Sequence, residues 1–392
     1  MSRTDRPQVS EPVYLDYNAT TPVDPRVVTA MLPYLTESFG NPSSSHVYGA
    51  RPAAALAQAR TQLADLIGAQ AEEIVFTGSG SEANLLALRG AALAADRPRT
   101  HLITQATEHP AVLQTCQALA RLHGLWVTVL PVEPDGRVDP ARLAAALDAQ
   151  PTLVSVMAAN NETGVLQPIQ ELAELTHRYG GLLHCDAAQA VGKIDLDVNA
   201  LGVDLLTVVG HKMYAPKGIG ALYIRDGIDL EPVIYGGGQE HGLRAGTENV
   251  ALAAGFGAAA ELAAADLAAG AGQRLARLRD QLHQRLAEAL PGRVHLNGAP
   301  EHRLPNTLNV SIDGIRGHDL LAAAPGIAAS TGLACHSGIH SPSPVLTAMG
   351  IDTDRALGAL RLSLGRFSSA ADIDSAVRAL LDAIGHLTRP HE

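Results

Sequence analysis

The chain has 392 residues, 46% hydrophobic and 18% charged, with a formal net charge of -11. That length leaves room for two domains and a large core, and the composition excludes a disordered chain. The acidic balance and the lack of a basic stripe exclude nucleic acid as an expected partner, while three cysteines exclude a disulfide framework and point to a reducing cytoplasm.

Residues 1–10 are polar and carry no apolar signal core. Beyond them, short β-rich runs alternate with Ala/Leu-rich helical patterns. Strands are predicted at 73–76, 101–104, 125–132, 153–157, 182–186, 205–208 and 221–224. Helices are predicted between them at 81–94, 110–122, 140–147 and 169–177. Such alternation implies βα units on a mostly parallel sheet, and strands apolar on both faces imply helices covering both sides. From about Asn249 the pattern changes. A long helical region to Leu290 precedes β-like runs at 294–296 and 307–312, a Gly/Ser-rich loop and two helices. This reads as a second, smaller domain. The apolar stretch 250–271 is mostly Ala and Gly and contains Glu261 and Asp266, so it reads as a helix and not as a membrane span.

Four segments carry chemistry. Residues 77–84 run Thr-Gly-Ser-Gly-Ser-Glu-Ala-Asn between a strand and a helix. Backbone N–H groups of Gly80 and Ser81 at such a turn suit a phosphate, although many βα turns look similar. No Gly-Lys-Ser/Thr follows, so this is not a Walker motif. The second segment places Asp186 at the end of an apolar strand, with Gln189 three residues on. A buried aspartate needs a cationic partner or a capping role; a protonated pyridine nitrogen would serve. The third is Glu108-His109-Pro110, whose histidine is either structural or functional. The fourth is a polar loop at 329–338 that carries Cys335 and His336. Cys335 is the only cysteine placed like a nucleophile. Cys116 on a helix face and Cys185 in a strand read as core thiols. The spacing of Cys335, His336 and His340 matches no common zinc pattern, so no metal site is expected.

Of 29 basic side chains only Lys193, Lys212 and Lys217 are lysines. In an Ala/Arg-rich chain with the look of a GC-rich genome, surface lysines drift to arginine. A lysine that must shed its proton and form a covalent bond cannot, because guanidinium stays charged. Lys212 follows the buried run 205–209 and sits beside His211. It is a candidate Schiff-base lysine, although this segment alone equally suits a solvated lysine at a strand end.

With these pieces, the motifs at 14–22, 40–44, 159–164, 236–240, 244–249 and 361–366 resemble the NifS-like cysteine desulfurases and selenocysteine lyases. Those are fold-type-I pyridoxal-phosphate (PLP) enzymes of the class-V aminotransferase superfamily. The resemblance covers nearly the whole chain. It implies an α/β fold with a seven-stranded, mostly parallel sheet in a large domain (16–257), and a smaller α+β domain formed by 1–15 and 258–392. It makes Lys212 the lysine that binds PLP covalently and later takes the Cα proton. Asp186 would hold the pyridine nitrogen, Gln189 the ring oxygen, and His109 would stack on the ring and move protons. Gly80, Ser81 and His211 would hold the phosphate, with Thr247 reaching in from a second subunit of a homodimer. Arg361, helped by Asn161, would take the substrate carboxylate. Cys335 would attack the substrate sulfur, giving alanine and a persulfide for an acceptor protein, as in iron–sulfur cluster biogenesis.

One departure is Val209, where a phosphate-binding serine often stands. That feature, together with the runs 334–337 and 341–346, resembles the selenocysteine lyase branch, whereas Pro110 and the long loop around Cys335 resemble the desulfurases. L-Cysteine is the expected substrate, with L-selenocysteine as the alternative. A PLP C–S lyase that ignores Cys335 is a further reading, as is a scaffold that keeps PLP only for stability. No membrane association is expected.

Overall fold

The computed structural model describes residues 11–96, 98–148, 150–332 and 341–389. A two-residue strand, β1 (Val13–Tyr14), opens the fold. The main sheet is built from β2 (Ile74–Thr77), β3 (His101–Gln105), β4 (Trp126–Leu130), β5 (Thr152–Ser155), β6 (Leu182–Asp186), β7 (Leu205–Val209) and β8 (Gly220–Ile224). Their order is β2-β8-β7-β6-β5-β3-β4. Only β8 runs antiparallel to its neighbours; the other pairs are parallel. The seven predicted strands thus all form.

Alternate strand residues feed two apolar layers, as the pleat requires. Ile74, Phe76, Ile103, Val154, Leu206 and Tyr223 join helices Val47–Ile67, Ile169–Arg178 and Val250–Ala268 on one face. Val75, Leu102, Leu153, Leu205 and Leu222 join helices Gly80–Ala92 and Pro110–His123 on the other.

A second sheet follows: β9 (Val294–Leu296) and β10 (Thr307–Ile312), then β12 (Ala359–Ser363), in the order β12-β10-β9 and antiparallel. Between them, β11 (Ile327–Ala328) pairs in parallel with β1. Leu15 packs with Leu282, Val310, Leu362 and Leu380 in a separate apolar cluster. Helices Ala271–Ala289 and Ala370–Leu387 cover this sheet.

Three features depart from the sequence reading. The long helical region is two helices, Val250–Ala268 and Ala271–Ala289, parted at Gly270, whose φ is 74°. Helices Pro25–Thr36 and Val47–Ile67 occupy a region without a sequence assignment. Strand β12 lies where only a loop and helices were expected. Its Ala-Leu-Arg-Leu-Ser run is short, and neighbouring Ala/Leu-rich helices hide its alternation.

Helix Val250–Ala268 is long and apolar enough to cross a membrane by length and composition, but half of it is buried inside the protein. A Cβ on Gly257 would sit 2.6 Å from the Cα of Ala59. Small residues therefore let this helix press against Val47–Ile67, which accounts for its Ala/Gly composition as a core feature.

Candidate active site

A cavity of about 310 Å³ opens at the C-terminal ends of β2, β3, β5, β6 and β7, where open α/β sheets bind ligands. Lys212, Asp186, Gln189, His109, Gly80, Ser81, His211, Asn161 and Arg361 all line it. Nine expected site residues, drawn from segments far apart in sequence, thus line one cavity. Thr247 is exposed and is not among the lining residues. Cys335 lies outside the described residues.

Lys212 ends the turn Gly210–Lys212 directly after β7. Its Nζ donates to the carbonyls of Asn18 at 2.6 Å and Ala19 at 2.8 Å. Burial, with Arg361 as a second cause, lowers its pKa to about 8, so a usable fraction of amine is neutral near pH 7.

Asp186 is the last residue of β6 and is buried. Its Oδ2 accepts from Asn84 Nδ2 at 2.7 Å and its Oδ1 from the Ala188 N–H at 3.0 Å. Both donors are neutral, and Asn84 Oδ1 is buried without a partner. A carboxylate so placed suits a cation in the cavity.

His109 caps helix Pro110–His123, its Nδ1 accepting from the Ala111 N–H at 3.1 Å. That bond fixes Nδ1 as an acceptor and leaves Nε2 to carry a proton. The ring borders the open cavity, yet the surrounding protein desolvates it enough to lower its pKa below the ordinary histidine value.

Helix Gly80–Ala92 begins at the cavity, with Ser79 Oγ accepting from the Glu82 N–H at 3.1 Å. The Gly80 and Ser81 N–H groups belong to its first turn, which favours an anion. Glu82 would oppose one, but it pairs with Arg244 at 2.9 Å. A Cβ on Gly80 would meet Val209 Cγ2 at 2.4 Å. Val209 therefore gives no side-chain donor, and beside it only glycine fits at position 80 without a shift. His211 Nδ1 lies 3.1 Å from Thr20 Oγ1. Burial, reinforced by Lys212 and Lys217, lowers its pKa to about 4. His211 thus offers a neutral hydrogen bond, not a charge.

Arg361 comes from β12, so the second sheet contributes to the cavity of the first. Its Nη1 donates to the Asn161 carbonyl at 3.2 Å. Its Nε is buried and unpartnered.

Sequence reasoning included Asp16, Asn18 and Asn84 only as members of the motifs at 14–22 and 77–84, and left them and Lys193 without a role. Asn18 lines the cavity and is fully buried, with Nδ2 donating to Thr307 Oγ1 at 2.8 Å and to the Asn161 carbonyl at 3.2 Å. Its contribution runs partly through its backbone carbonyl, which no residue type betrays. Lys193 did carry a signal, the scarcity of lysine.

Cys116 and Cys185 are free and buried. Burial pushes the Cys116 thiol up to about 12 and that of Cys185 well above its usual value. Neither is a nucleophile at neutral pH. Among the described residues no group of three or more His, Cys, Asp or Glu is placed to hold a metal.

Residues 13–376 match the family model Aminotransferase class-V. A cysteine desulfurase IscS of Anaeromyxobacter sp. (strain Fw109-5) is 47% identical over 379 residues, 96% of this chain and 93% of that one. The chain belongs to the cysteine desulfurases of the class-V aminotransferase family. The cysteine desulfurase of Homo sapiens is 43% identical, over 97% of this chain and 83% of its own. A solved NifS-like protein superposes with a TM-score of 0.88 at 36% identity, covering 96% of this chain and all of that one.

Enzymes of this family depend on PLP, and the cavity fits that cofactor. An Asp186 carboxylate held only by neutral donors matches a protonated pyridine nitrogen. The helix N-terminus at Gly80 and Ser81 matches a phosphate, and the half-buried Lys212 amine matches an aldehyde.

Proposed function

We propose that this chain converts L-cysteine to L-alanine and hands the sulfur, as a persulfide on Cys335, to an acceptor protein. The observation that carries this reading is the convergence of Lys212, Asp186, His109 and Arg361 on one cavity. PLP, when bound, supplies an electron sink for bond breaking at the substrate Cα.

The chain's own groups do the rest. Lys212 would hold the cofactor through its aldehyde and, once freed, would take the substrate Cα proton. Asp186 would hold the ring nitrogen and Gln189 would offer its amide N–H to the ring oxygen. His109, with only Nε2 free, would move one proton. Arg361 and Asn161 orient the substrate carboxylate; the unpartnered Nε of Arg361 is a donor in want of an acceptor. The Cys335 thiolate bonds to the substrate sulfur while the Cβ–S electron pair stays with carbon, which gains one proton to become the alanine methyl group.

A homodimer completes the site in this reading. Phe39, Val47 and Tyr48 are 72%, 80% and 62% exposed, an apolar surface that supports association. Thr247, exposed and away from its own cavity, is free to serve a neighbour's phosphate. The free, buried Cys116 and Cys185 support a reducing cytoplasmic setting. Acceptors in iron–sulfur cluster assembly are the proposed destination of the sulfur.

The test is product identification. The PLP-loaded protein given cysteine should yield alanine and a persulfide on Cys335, and Cys335→Ala should abolish both while still binding PLP. Pyruvate with free sulfide would instead establish an elimination. Parallel single-turnover rates with selenocysteine decide the chalcogen, and light scattering that finds a stable PLP-loaded monomer refutes the dimer.

A further inference from the structure

Behind Lys212 lies a second cavity of about 490 Å³, lined by Lys193, Tyr17, Asn306 and Arg366 as well as by Lys212 itself. Lys193 contributes nothing to the chemistry described above, yet it is one of only three lysines in the chain. Its Nζ donates to Gln189 Oε1 at 2.7 Å and to Asn18 Oδ1 at 3.1 Å. Both acceptors are side-chain amides, which could in principle present either end.

A lysine ammonium only donates. Gln189 must therefore turn its oxygen toward Lys193, which leaves Nε2 to donate to the Asn18 carbonyl at 3.0 Å on the cavity side. Asn18 is locked in the same way. With Oδ1 taken by Lys193 and by Asn306 Nδ2 at 3.1 Å, its Nδ2 must face Thr307 and Asn161. The Asn18 carbonyl then receives both Gln189 Nε2 and Lys212 Nζ.

We propose that Lys193 is a positioning residue of the cofactor site: acting from the second cavity, it fixes the amide orientations of Gln189 and Asn18, and through them the donor presented to the PLP ring oxygen and the carbonyl that holds Lys212. A flipped Gln189 would turn an oxygen lone pair toward the ring oxygen, where repulsion replaces a hydrogen bond. Burial and the nearby Lys212 charge lower the Lys193 pKa below the ordinary lysine value, and the two amide oxygens at 2.7 and 3.1 Å are what hold the ammonium against them. Such a cost fits a position where a donor-only group is required, and arginine is the other long cationic side chain of that kind.

The inference rests on the function proposed above. Its test loads PLP onto the native chain, Lys193→Met, Lys193→Arg, Gln189→Ala and the Met/Ala double variant. It reads the visible absorbance maximum and the rate of PLP release into a trap. Lys193→Met shifts the band and speeds release about tenfold, the size expected for losing one hydrogen bond to a charged group. Lys193→Arg, donor-only and with space in the second cavity, restores most of both. In the Gln189→Ala background Lys193→Met has a smaller effect, because only the route through Asn18 remains. A folded Lys193→Met with unchanged band and release rate overturns the inference, as does an equal effect with and without Gln189. Should Lys193→Met fail to fold, Lys193→Gln takes its place. Its amide can accept as well as donate and no longer dictates the orientation of Gln189, so the same shift is expected and its absence overturns the proposal. A native chain that forms no lysine-linked PLP overturns the proposed function; a native chain that does, with unresponsive variants, overturns only the role of Lys193.

Discussion

Arg361 enters the cavity already paired: its Nη2 lies 2.7 Å from Asp16 Oδ1, and Asp16 bridges in turn to Ser363 two residues along β12. A substrate carboxylate must therefore share the guanidinium with a resident one. Only a planar fork has donors enough for both. Arg361→Lys keeps the charge and loses the fork. The expected outcome is a KM for cysteine raised about 10- to 100-fold with a smaller change in kcat, the signature of lost ground-state binding. Steady-state kinetics check this, and an unchanged KM places the carboxylate elsewhere.

Lys212 has a pKa lowered to about 8, chiefly by burial. Only the neutral amine attacks an aldehyde, so capture of PLP by the cofactor-free protein should speed up as pH rises and level off above about 8. Stopped-flow absorbance between pH 6 and 10 follows it. A rate still climbing steeply toward the ordinary lysine pKa means that the amine is not buried in solution.

Glu108 is buried beside the site, with Oε1 accepting from Gln105 Nε2 at 2.9 Å and the Met157 N–H at 2.5 Å, and Oε2 unpartnered. Burial pushes its pKa up to about 8. The folded value lies above the unfolded one, so the stability this carboxyl lends is complete below the unfolded pKa of about 4.3 and is lost as pH rises through about 8. Glu108→Gln keeps the accepting oxygen and never ionises. Melting temperatures should show the variant gaining on the native chain between pH 5 and pH 9; a constant difference means that Glu108 does not titrate there.

Gly80 is pressed by Val209, whose Cγ2 would lie 2.4 Å from an added Cβ. Gly80→Ala should displace the anion-binding turn and weaken PLP affinity about tenfold, since overpacking a tight contact costs ~1–3 kcal/mol. Val209→Ala in the same chain should recover most of the loss. Fluorescence titration with PLP measures both, and a lack of recovery means that the strain falls on another neighbour.

The main sheet was legible because its strands are continuous apolar runs bounded by turns, as Leu205–Val209 illustrates. The cavity-lining set was legible because its residue types are odd in their settings: Asp186 at the end of a buried strand, Lys212 in a chain nearly free of lysine. What escaped acts by other means. Asn18 serves through a peptide carbonyl, and Asn84 matters only because β6 brings Asp186 to it across 102 residues. Arg361 was identified as a residue, but its strand was not, because five residues among helices leave little period to read.

Asn18 has a consequence in time. Its backbone N–H donates to Ser363 Oγ, 345 residues downstream, while its carbonyl receives Lys212 Nζ. At about 5–20 residues per second of synthesis, roughly 20–70 s separate the two partners at the ribosome. Lys212 is made midway through that interval, before the chain that fixes its acceptor exists. A nascent chain of 212 to 362 residues has the lysine and the phosphate turn but not the settled cavity. Lysine-linked cofactor should therefore be found on released chains and not on stalled ones.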